Sequence, residues 1–403
     1  MAGSGGPLTG VKVIELAHIM AGPVCGLMLA DMGADVIKVE KVPGGDDTRR
    51  FLPPGVKGEA AAFLMMNRNK RGVAIDLKND AGKDVLRRLL KTADVVTENY
   101  RANTMDKLGF GYEALKRINP GLIYCTISGF GRTGPYADRG GFDLIAQGMS
   151  GLMSITGEGP GRPPVKVGAP ITDITAGILG ALGVTAAYAH KLKTGEGQMV
   201  DTSLFEAGIV HTYWQSAIGL ATGEAPGPMG SAHPLNAPYQ AFQTRDGWIT
   251  VGAANQKNWL RTLEILDAPE LARDPRFKDN ADRMTHLQEL AALLGKIFVK
   301  RSSADWLRRL EKVGVPAGPV LNVNEMHRDP HTLARGMVVE VEHARVGAVK
   351  TIGLPVKFSK TPGKVARGAP LYGQHTREVL AEHGFGKDEI AVLIEKGAVV
   401  AAD

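Results

Sequence analysis

The chain has 403 residues, of which 44% are hydrophobic and 22% are charged, the proportions of a globular protein. This length exceeds what one core usually supports, so we expect more than one domain. The net charge of +6 comes without long lysine or arginine runs, which leaves nucleic acid a weak hypothesis. A mild basic balance also suits a protein that binds phosphorylated cofactors and carboxylates.

Two features bear on the cellular compartment. The N-terminal residues lack the basic and apolar regions of a signal peptide. The two cysteines, Cys25 and Cys125, lie in apolar settings without metal-ligand spacing. We therefore expect buried, reduced thiols and a cytoplasmic location.

The first half of the chain alternates strand patterns with helix patterns. Residues 10–16 and 34–40 are β-branched runs, and the helical periodicity of 24–33 between them completes a βαβ unit. Three more strand patterns follow, at 72–77, 93–99 and 121–128. A helix pattern at 80–92 separates the first two of these. The alternation predicts an α/β fold with an open, Rossmann-like parallel sheet.

The stretch VGAPITDITAGILGALGVTAAYAH, residues 167–190, has one acidic residue, Asp173, between a strand-like run and a helix pattern. Asp173 suits a helix N-cap, and it also suits a nucleophile that the helix start keeps ionised. Gly177, Gly180 and Gly183 recur along one side of the helix, although glycine costs about 1 kcal/mol in a helix interior. We therefore expect a ligand arm or a partner segment to lie against them. The helix is predicted to be buried and not to span a membrane.

The second half begins with a strand and helix pattern at 198–220. Residues 223–238 are rich in Gly, Pro, Ser and Ala, which indicates a long loop and a domain boundary. Residues 239–253 suggest a hairpin with an Asp-Gly turn, and amphipathic helices fill 256–313. Short strands and loops follow from 320 onwards.

Candidate ligand-binding segments follow the predicted strands, where open α/β sheets bind ligands. The loop ELAHIMAGP, 15–23, lacks the G-x-G-x-x-G pattern of dinucleotide binders. Arg68, Lys70 and Arg71 form either a phosphate-binding cluster or a solvated charged turn. The glycine-rich segment 128–143 suggests close approach of its backbone to a ligand, although a flexible loop is the plain alternative. Metal-binding and serine-hydrolase motifs are missing from the sequence.

Seven segments together resemble the class III CoA-transferases, the CaiB/BaiF type that includes formyl-CoA:oxalate CoA-transferase. They are 13–49, 67–78, 122–157, 193–207, 272–283, 314–326 and 369–380. They cover most of the chain in the family's order. The resemblance implies transfer of CoA from an acyl-CoA, such as succinyl-CoA, to a short carboxylic or dicarboxylic acid. Asp173 matches the family's nucleophile, and neither a metal nor a permanently bound cofactor is needed, because CoA itself is the substrate.

The resemblance also implies binding residues. Those for CoA are His18, Met20, Ala21, Lys41, Ile75, Asp76, Leu77, Lys78, Asn99, Tyr100, Arg101, Lys107, Gly140, Gly141, Phe142 and Asp143. Gly230, Ser231, Ala232 and His233 match a loop that closes over the intermediate. That loop is not a run of glycines here, and Met20 replaces the glutamine of the oxalate enzyme, so both departures argue against oxalate as the acceptor.

The implied architecture is an interlocked homodimer. Each chain would have a large Rossmann-like domain, made of 1–224 and the returning segment 326–403, and a smaller α+β domain at 225–325. The related 2-methylacyl-CoA racemases are the main alternative, but they carry a catalytic histidine where this chain has Phe142. A CoA-binding module without activity and a nicotinamide-dependent oxidoreductase are the remaining alternatives.

Overall fold

The computed structural model describes residues 5–402. These residues form two compact units. The first unit contains residues 5–151, 167–211 and 330–402, and the second contains 152–166 and 212–329. The predicted domain division stays a prediction, because compactness alone does not show which segments fold independently.

The strands, numbered in chain order, are β1 (Lys12–Glu15), β2 (Asp35–Lys41), β3 (Gly55–Val56), β4 (Glu59–Ala60), β5 (Arg71–Ile75), β6 (Val95–Glu98), β7 (Ile123–Ser128), β8 (Met199–Ser203), β9 (Tyr239–Gln243), β10 (Trp248–Gly252), β11 (Ala317–Pro319), β12 (Val338–His343), β13 (Gly347–Ile352) and β14 (Val399–Val400).

The α-helices are α1 (Ala21–Asp31), α2 (Ala61–Met66), α3 (Asp80–Lys91), α4 (Thr104–Leu108), α5 (Tyr112–Ile118), α6 (Asp143–Met149), α7 (Ile171–Thr194), α8 (Leu204–Ile209), α9 (Tyr213–Thr222), α10 (Gln256–Ile265), α11 (Asn280–Thr285), α12 (Leu287–Phe298), α13 (Ser303–Lys312), α14 (Val323–Met326), α15 (Pro330–Ala334), α16 (Thr376–Glu382) and α17 (Lys387–Glu395).

The first unit is built on a seven-stranded sheet with the order β14-β5-β2-β1-β6-β7-β8. Every neighbouring pair is parallel except β14 with β5. From β1 the order runs through β2 and β5 to β14 at one edge, and through β6 and β7 to β8 at the other. The sheet therefore has a switch point between β1 and β6, which is where open α/β sheets bind ligands. The predicted α/β fold with a Rossmann-like parallel sheet is confirmed.

Helices cover both faces of this sheet because its strands are apolar on both sides. Val13 packs with α1 and α7 on one face, whereas its neighbour Ile14 packs with α3 on the other. Successive strand residues point to opposite faces, so one apolar run fills two cores.

Helix α7 packs against α1, α8, β7 and β8. A Cβ atom added at Gly177 would lie 2.6 Å from the Ala21 carbonyl oxygen, and one at Gly180 would lie 2.8 Å from Ile127 Cδ1. One at Gly183 would lie 2.5 Å from Val200. Of the two expected neighbours, the ligand arm is wrong, because α1 and two strands of the same unit occupy that side; the close approach of another segment is confirmed.

Among the described residues, α7 is also the one helix that is long and apolar enough to cross a membrane. One side of α7 packs on α1 and the sheet as a core helix does, because its small residues meet other backbone and side chains at close range.

The second unit has its own core. Strands β9 and β10 form the predicted hairpin, and β11 extends it to a three-stranded antiparallel sheet. Trp259, Phe298 and Trp306 are buried among the helices beside it. The Trp306 indole donates to the Phe298 carbonyl oxygen at 2.6 Å, which satisfies its polar group within the core.

Candidate active site

A cavity of about 400 Å³ lies in the first unit, where the loops after β1, β6 and β7 meet. Its size is in the range of small-molecule sites. It contains the predicted nucleophile Asp173. Nine of the predicted CoA-binding residues line it with Asp173, namely His18, Met20, Ala21, Asn99, Tyr100, Arg101, Gly140, Gly141 and Phe142. The structure thus brings together segments that are far apart in sequence.

Hydrogen bonds to Asn99 and Asp46 hold the loop after β1 in place. The His18 backbone N–H donates to Asn99 Oδ1 at 2.9 Å, and Asn99 Nδ2 donates back to the His18 carbonyl at 2.8 Å. Ile19 has a φ of 67°, which is strained for a β-branched residue. Its N–H donates to the Asp46 carboxylate at 3.2 Å, so Asp46 supports this conformation. Asn99 and Asp46 therefore shape the rim of the cavity.

Asp46 belongs to a buried network of charges beneath the loop. The Lys38 ammonium lies 2.9 Å from Asp46 and 3.2 Å from Glu15, and Lys70 lies 2.9 Å from Glu15. All four side chains are inaccessible to solvent. Burial raises the pKa of Asp46, but Lys38 and Thr48 outweigh it and hold that pKa well below the ordinary range. The network ties β1, β2 and the residue before β5 to the loop that lines the cavity.

The proposed phosphate-binding role of the cluster at 68–71 is wrong. Arg68 Nη2 lies 2.6 Å from Asp31, Lys70 bonds to Glu15, and Arg71 pairs with Asp35 at 2.6 Å. These cations are buried, so the alternative of a solvated turn is also wrong. Their acidic partners come from distant segments, which explains why the sequence alone suggested free cations.

Asp173 is the third residue of α7, and the N-cap position is Pro170. The N-cap interpretation of Asp173 is therefore wrong. The strand-like run before it is also not a strand, since residues 163–170 form neither helix nor strand. Burial and the nearby Asp143 carboxylate raise the pKa of Asp173 to about 7. This rise opposes the stabilisation of the anion that the helix start is expected to give, so the ionised state of Asp173 stays a prediction.

Asp143, at the start of α6, turns toward the start of α7. Its carboxylate accepts from the Thr172 N–H at 2.9 Å, the Thr172 hydroxyl at 2.8 Å and Gln147 Nε2 at 2.7 Å. Thr172 and Gln147 are fully buried. Asp143 therefore joins the two helix starts directly beside Asp173.

The cavity also has cationic side chains at its rim. Arg101 and Arg139 are exposed, and neither has a carboxylate partner among the described residues. Arg139 stacks on Tyr136, with 3.9 Å from its guanidinium carbon to the ring centroid. Arg132, by contrast, bonds to Glu98 at 2.5 Å and to Thr126 at 2.7 Å, so it fixes the loop. Sequence reasoning did not select Arg132 or Arg139 as site residues, although both lie in the glycine-rich segment.

Two aromatic groups of the cavity have shifted acidities. His18 and Tyr100 pack edge to face, with ring centroids 5.4 Å apart. Burial lowers the pKa of His18 and raises the pKa of Tyr100 to about 12. Both groups are therefore neutral at pH 7, and they form an uncharged wall.

The other predicted binding residues lie outside this cavity. Lys41 ends β2 and pairs with Asp47 at 2.8 Å, whereas Ile75 is buried at the end of β5. Asp76, Leu77 and Lys78 follow β5 at the same edge of the sheet, and Lys107 is exposed on α4. Gly230, Ser231, Ala232 and His233 belong to the second unit, where the His233 ring stacks on Tyr239 at 5.1 Å. Their roles in binding stay predictions.

The described residues contain no group of three or more His, Cys, Asp or Glu side chains placed to hold a metal ion. Cys25 and Cys125 are buried free thiols, as predicted from their apolar surroundings.

Comparison with known proteins identifies the class. The family model described as CoA-transferase family III matches residues 8–376. A succinate–glutarate CoA-transferase of Agrobacterium fabrum is 42% identical over 93% of this chain and 95% of its own. The succinyl-CoA:glutarate CoA-transferase of Homo sapiens is 39% identical over 93% of this chain and 86% of its own.

A solved structure agrees with these matches. A CAIB/BAIF family protein from Brucella suis has a TM-score of 0.84 and 41% identity, covering 94% of this chain and 100% of that one. The chain belongs to CoA-transferase family III and is an enzyme, which confirms the resemblance stated from the sequence.

Proposed function

We propose that this enzyme transfers CoA from succinyl-CoA, or a similar acyl-CoA, to a short carboxylic or dicarboxylic acid, with Asp173 as the nucleophile. The observation that carries the proposal is the position of Asp173 in a cavity whose rim has two arginines, Arg101 and Arg139, without a carboxylate partner in residues 5–402. Cations at the mouth of a cleft attract anionic substrates, and both CoA and a dicarboxylate are anionic. Glutarate appears in the names of two relatives that are about 40% identical.

In the first half of the reaction, the Asp173 carboxylate attacks the donor thioester carbonyl. The C–S bond breaks, which leaves a mixed aspartyl-acyl anhydride and the CoA thiolate. The thiolate then attacks the aspartyl carbonyl, giving an aspartyl-CoA thioester and releasing the donor acid. Each step exchanges one activated acyl bond for another, so neither ATP nor a metal is required.

In the second half, the acceptor carboxylate attacks the aspartyl-CoA carbonyl. This step forms a second anhydride and frees the thiolate again. Attack of the thiolate on the acceptor carbonyl gives the new acyl-CoA and restores Asp173. Water has to be excluded throughout, because it would hydrolyse the anhydride and the thioester.

The protonation of Asp173 sets the pH range of the first step. Only the ionised carboxylate attacks, and the pKa of Asp173 is raised to about 7 by burial and by Asp143. The rate of the first half-reaction should therefore rise with pH through about 7. The start of α1 lies beside the nucleophile, since Ala21 lines the same cavity. The first backbone N–H groups of a helix can stabilise the oxyanion that forms on the attacked carbonyl.

We further propose that the active enzyme is a homodimer in the cytoplasm. Helices α6 and α7 expose large apolar side chains that a monomer would leave in water, among them Leu144, Ile145, Ile178 and Leu182. Such patches are typical of protein interfaces.

Isotope exchange tests the proposal. Labelled succinate incubated with succinyl-CoA and enzyme should enter the succinyl-CoA pool without any other acceptor acid, and Asp173→Ala should abolish this exchange. Full exchange by Asp173→Ala would contradict the assignment of the nucleophile.

A second experiment tests the alternative that the enzyme is a racemase. Solvent deuterium that enters the α-carbon of a 2-methylacyl-CoA, with no acid present, would favour a racemase. We expect none, because Phe142 supplies no base at that position of the cavity.

A further inference from the structure

Asp143 is predicted from the resemblance to contact CoA, but its carboxylate is already engaged. One oxygen accepts from both the N–H and the hydroxyl of Thr172, and the other accepts from Gln147 Nε2 at 2.7 Å. Gln147 is anchored in turn, since its Oε1 accepts from the Val167 N–H at 2.8 Å. The Asp143 carboxylate accepts three hydrogen bonds and donates none. This is the arrangement of an ionised carboxylate.

The Asp143 carboxylate lies next to the turn of α7 that carries Asp173, and this position suggests its role. Thr172 directly precedes Asp173 in the first turn of α7, so Asp143 holds the turn that carries the nucleophile. Asp143 is also the one charged group that adds to burial in shifting the acidity of Asp173. Other ionisable groups that line the cavity are His18, Tyr100, Arg101, Arg132 and Arg139. Asp201, Glu206 and His211 lie on β8, on α8 and just after α8.

Several of those groups have other partners. Arg132 pairs with Glu98, Glu206 accepts from the Ser203 hydroxyl at 2.7 Å, and His211 Nε2 lies 2.7 Å from the Thr175 hydroxyl. Asp201 accepts from the Arg132 N–H at 2.8 Å. Asp143 therefore stands apart as the anion fixed next to the nucleophile.

We infer that Asp143 is a positioning residue for CoA transfer, which fixes the start of α7 through Thr172 and keeps a negative charge beside the Asp173 carboxylate. The inference rests on the proposed nucleophilic role of Asp173. Repulsion by Asp143 destabilises the free Asp173 anion. Acylation replaces that anion with a neutral anhydride or thioester and removes the repulsion. Asp143 thus favours the covalent intermediates over the resting carboxylate.

The test is the pH dependence of the first half-reaction, followed in single turnover by intact-mass detection of acylated enzyme. Asp143→Asn removes the charge and keeps an oxygen for Thr172. In the plot of rate against pH, the part where the rate rises (the rising limb) should then move to lower pH by about one unit. The reason is that a like charge no longer opposes ionisation of Asp173. The fraction of enzyme present as covalent intermediate should fall at pH 8.

Three further variants separate this effect from others. Asp138→Asn removes a charge from an exposed residue of the same loop region, and its limb should stay in place. Thr172→Val removes one hydrogen bond but keeps the Asp143 charge, so it should not shift the limb to lower pH. Asp143→Glu keeps the charge and should return the limb toward that of the wild type.

Folding and CoA binding are measured first by thermal unfolding and calorimetric titration. If Asp143→Asn does not fold, Asp143→Ser carries the same test, since it also lacks the charge and can accept from Thr172. An unmoved limb in a folded, CoA-binding variant would overturn the inference. An equal shift in Asp138→Asn would also overturn it.

The outcomes distinguish this inference from the proposed function. If the acyl group maps to Asp173 in the wild type while Asp143→Asn leaves the limb unmoved, the nucleophile stands and the role of Asp143 fails. If Asp173→Ala still forms the covalent intermediate, the proposed function itself fails.

Discussion

At the scale of the residue, Asp173 carries a cost in stability. Its carboxyl is partly buried near another carboxylate, and its pKa is raised to about 7 from an ordinary value near 3.8. A raised pKa means that the folded state favours the protonated form. The ionised form needed for attack is therefore a strained state, which is common for catalytic groups.

This cost predicts that Asp173→Asn stabilises the protein. Since the folded-state pKa is raised, the stability that protonation gives is fully present below about pH 4 and is lost as pH rises through about 7. The neutral amide avoids that loss, so the variant should gain about 1–3 kcal/mol at pH 8 and little near pH 4. Thermal unfolding across this pH range checks the prediction. A variant that is destabilised at pH 8 would contradict it.

The contribution of Asp46 to stability should depend on pH in the opposite direction. Lys38 and Thr48 hold its pKa well below the ordinary range, so its contribution is present above about pH 4 and is lost as pH falls further. Asp46→Asn leaves the buried Lys38 with a weaker partner and should cost about 3–5 kcal/mol at pH 7. The difference from wild type should shrink in acid. Urea unfolding at pH 7 and pH 2 measures it, and an equal difference at both pH values would count against the assignment.

The residue scale also shows what the sequence could reveal about the site. His18, Asn99 and Gly140 could be grouped in advance, because they follow parallel strands that end at one edge of a sheet. The partners of Arg68 and Lys70 could not be identified in advance, because Asp31 and Glu15 lie in other segments of the chain. Their side-chain pairing depends on how β1, α1 and β5 pack.

At the scale of the element, α7 and α1 form the support of the nucleophile. The spacing of Gly177, Gly180 and Gly183 correctly indicated a close approach along one side of α7. It could not indicate what approaches, because small residues make room equally well for a helix or a ligand. The sheet and its crossovers, by contrast, were predictable from strand patterns that are apolar on both faces.

Helix packing predicts different effects for two helical glycines. An alanine Cβ at Gly177 would meet the Ala21 carbonyl at 2.6 Å and Val24 at 2.7 Å, so α1 would have to shift. We expect Gly177→Ala to cost about 1–3 kcal/mol and to reduce activity, because Ala21 lines the cavity. Gly295, in α12, has open space around it, and Gly295→Ala should gain about 0.5–1 kcal/mol from helix propensity. Denaturant unfolding compares the two, and equal effects would contradict this account of the packing.

At the scale of the whole molecule, one side of α7 leaves large apolar side chains exposed to solvent. Leu182 is 63% exposed and Ile178 is 47% exposed, and both lie on the side of α7 away from α1. A helix that is apolar all round needs cover on every side. The sequence showed this composition, but it could not show which side the chain itself covers.

The exposed side of α7 predicts the assembly state. Sedimentation should give twice the mass of one chain for the wild type, and Ile178→Lys with Leu182→Lys should weaken the association at micromolar concentration. Val392→Lys, at an exposed position of α17, is the matched control and should leave the mass unchanged. A wild-type protein that sediments as a monomer at every concentration would rule out the proposed homodimer.

The most direct test of the central claim is to locate the covalent intermediate. Enzyme incubated with succinyl-CoA is quenched, trapped with hydroxylamine or reduced with borohydride, and digested for peptide mass spectrometry. The account predicts a hydroxamate or a reduced alcohol at Asp173, and its loss in Asp173→Asn. Modification of another residue, or full turnover with Asp173 unmodified, would contradict it.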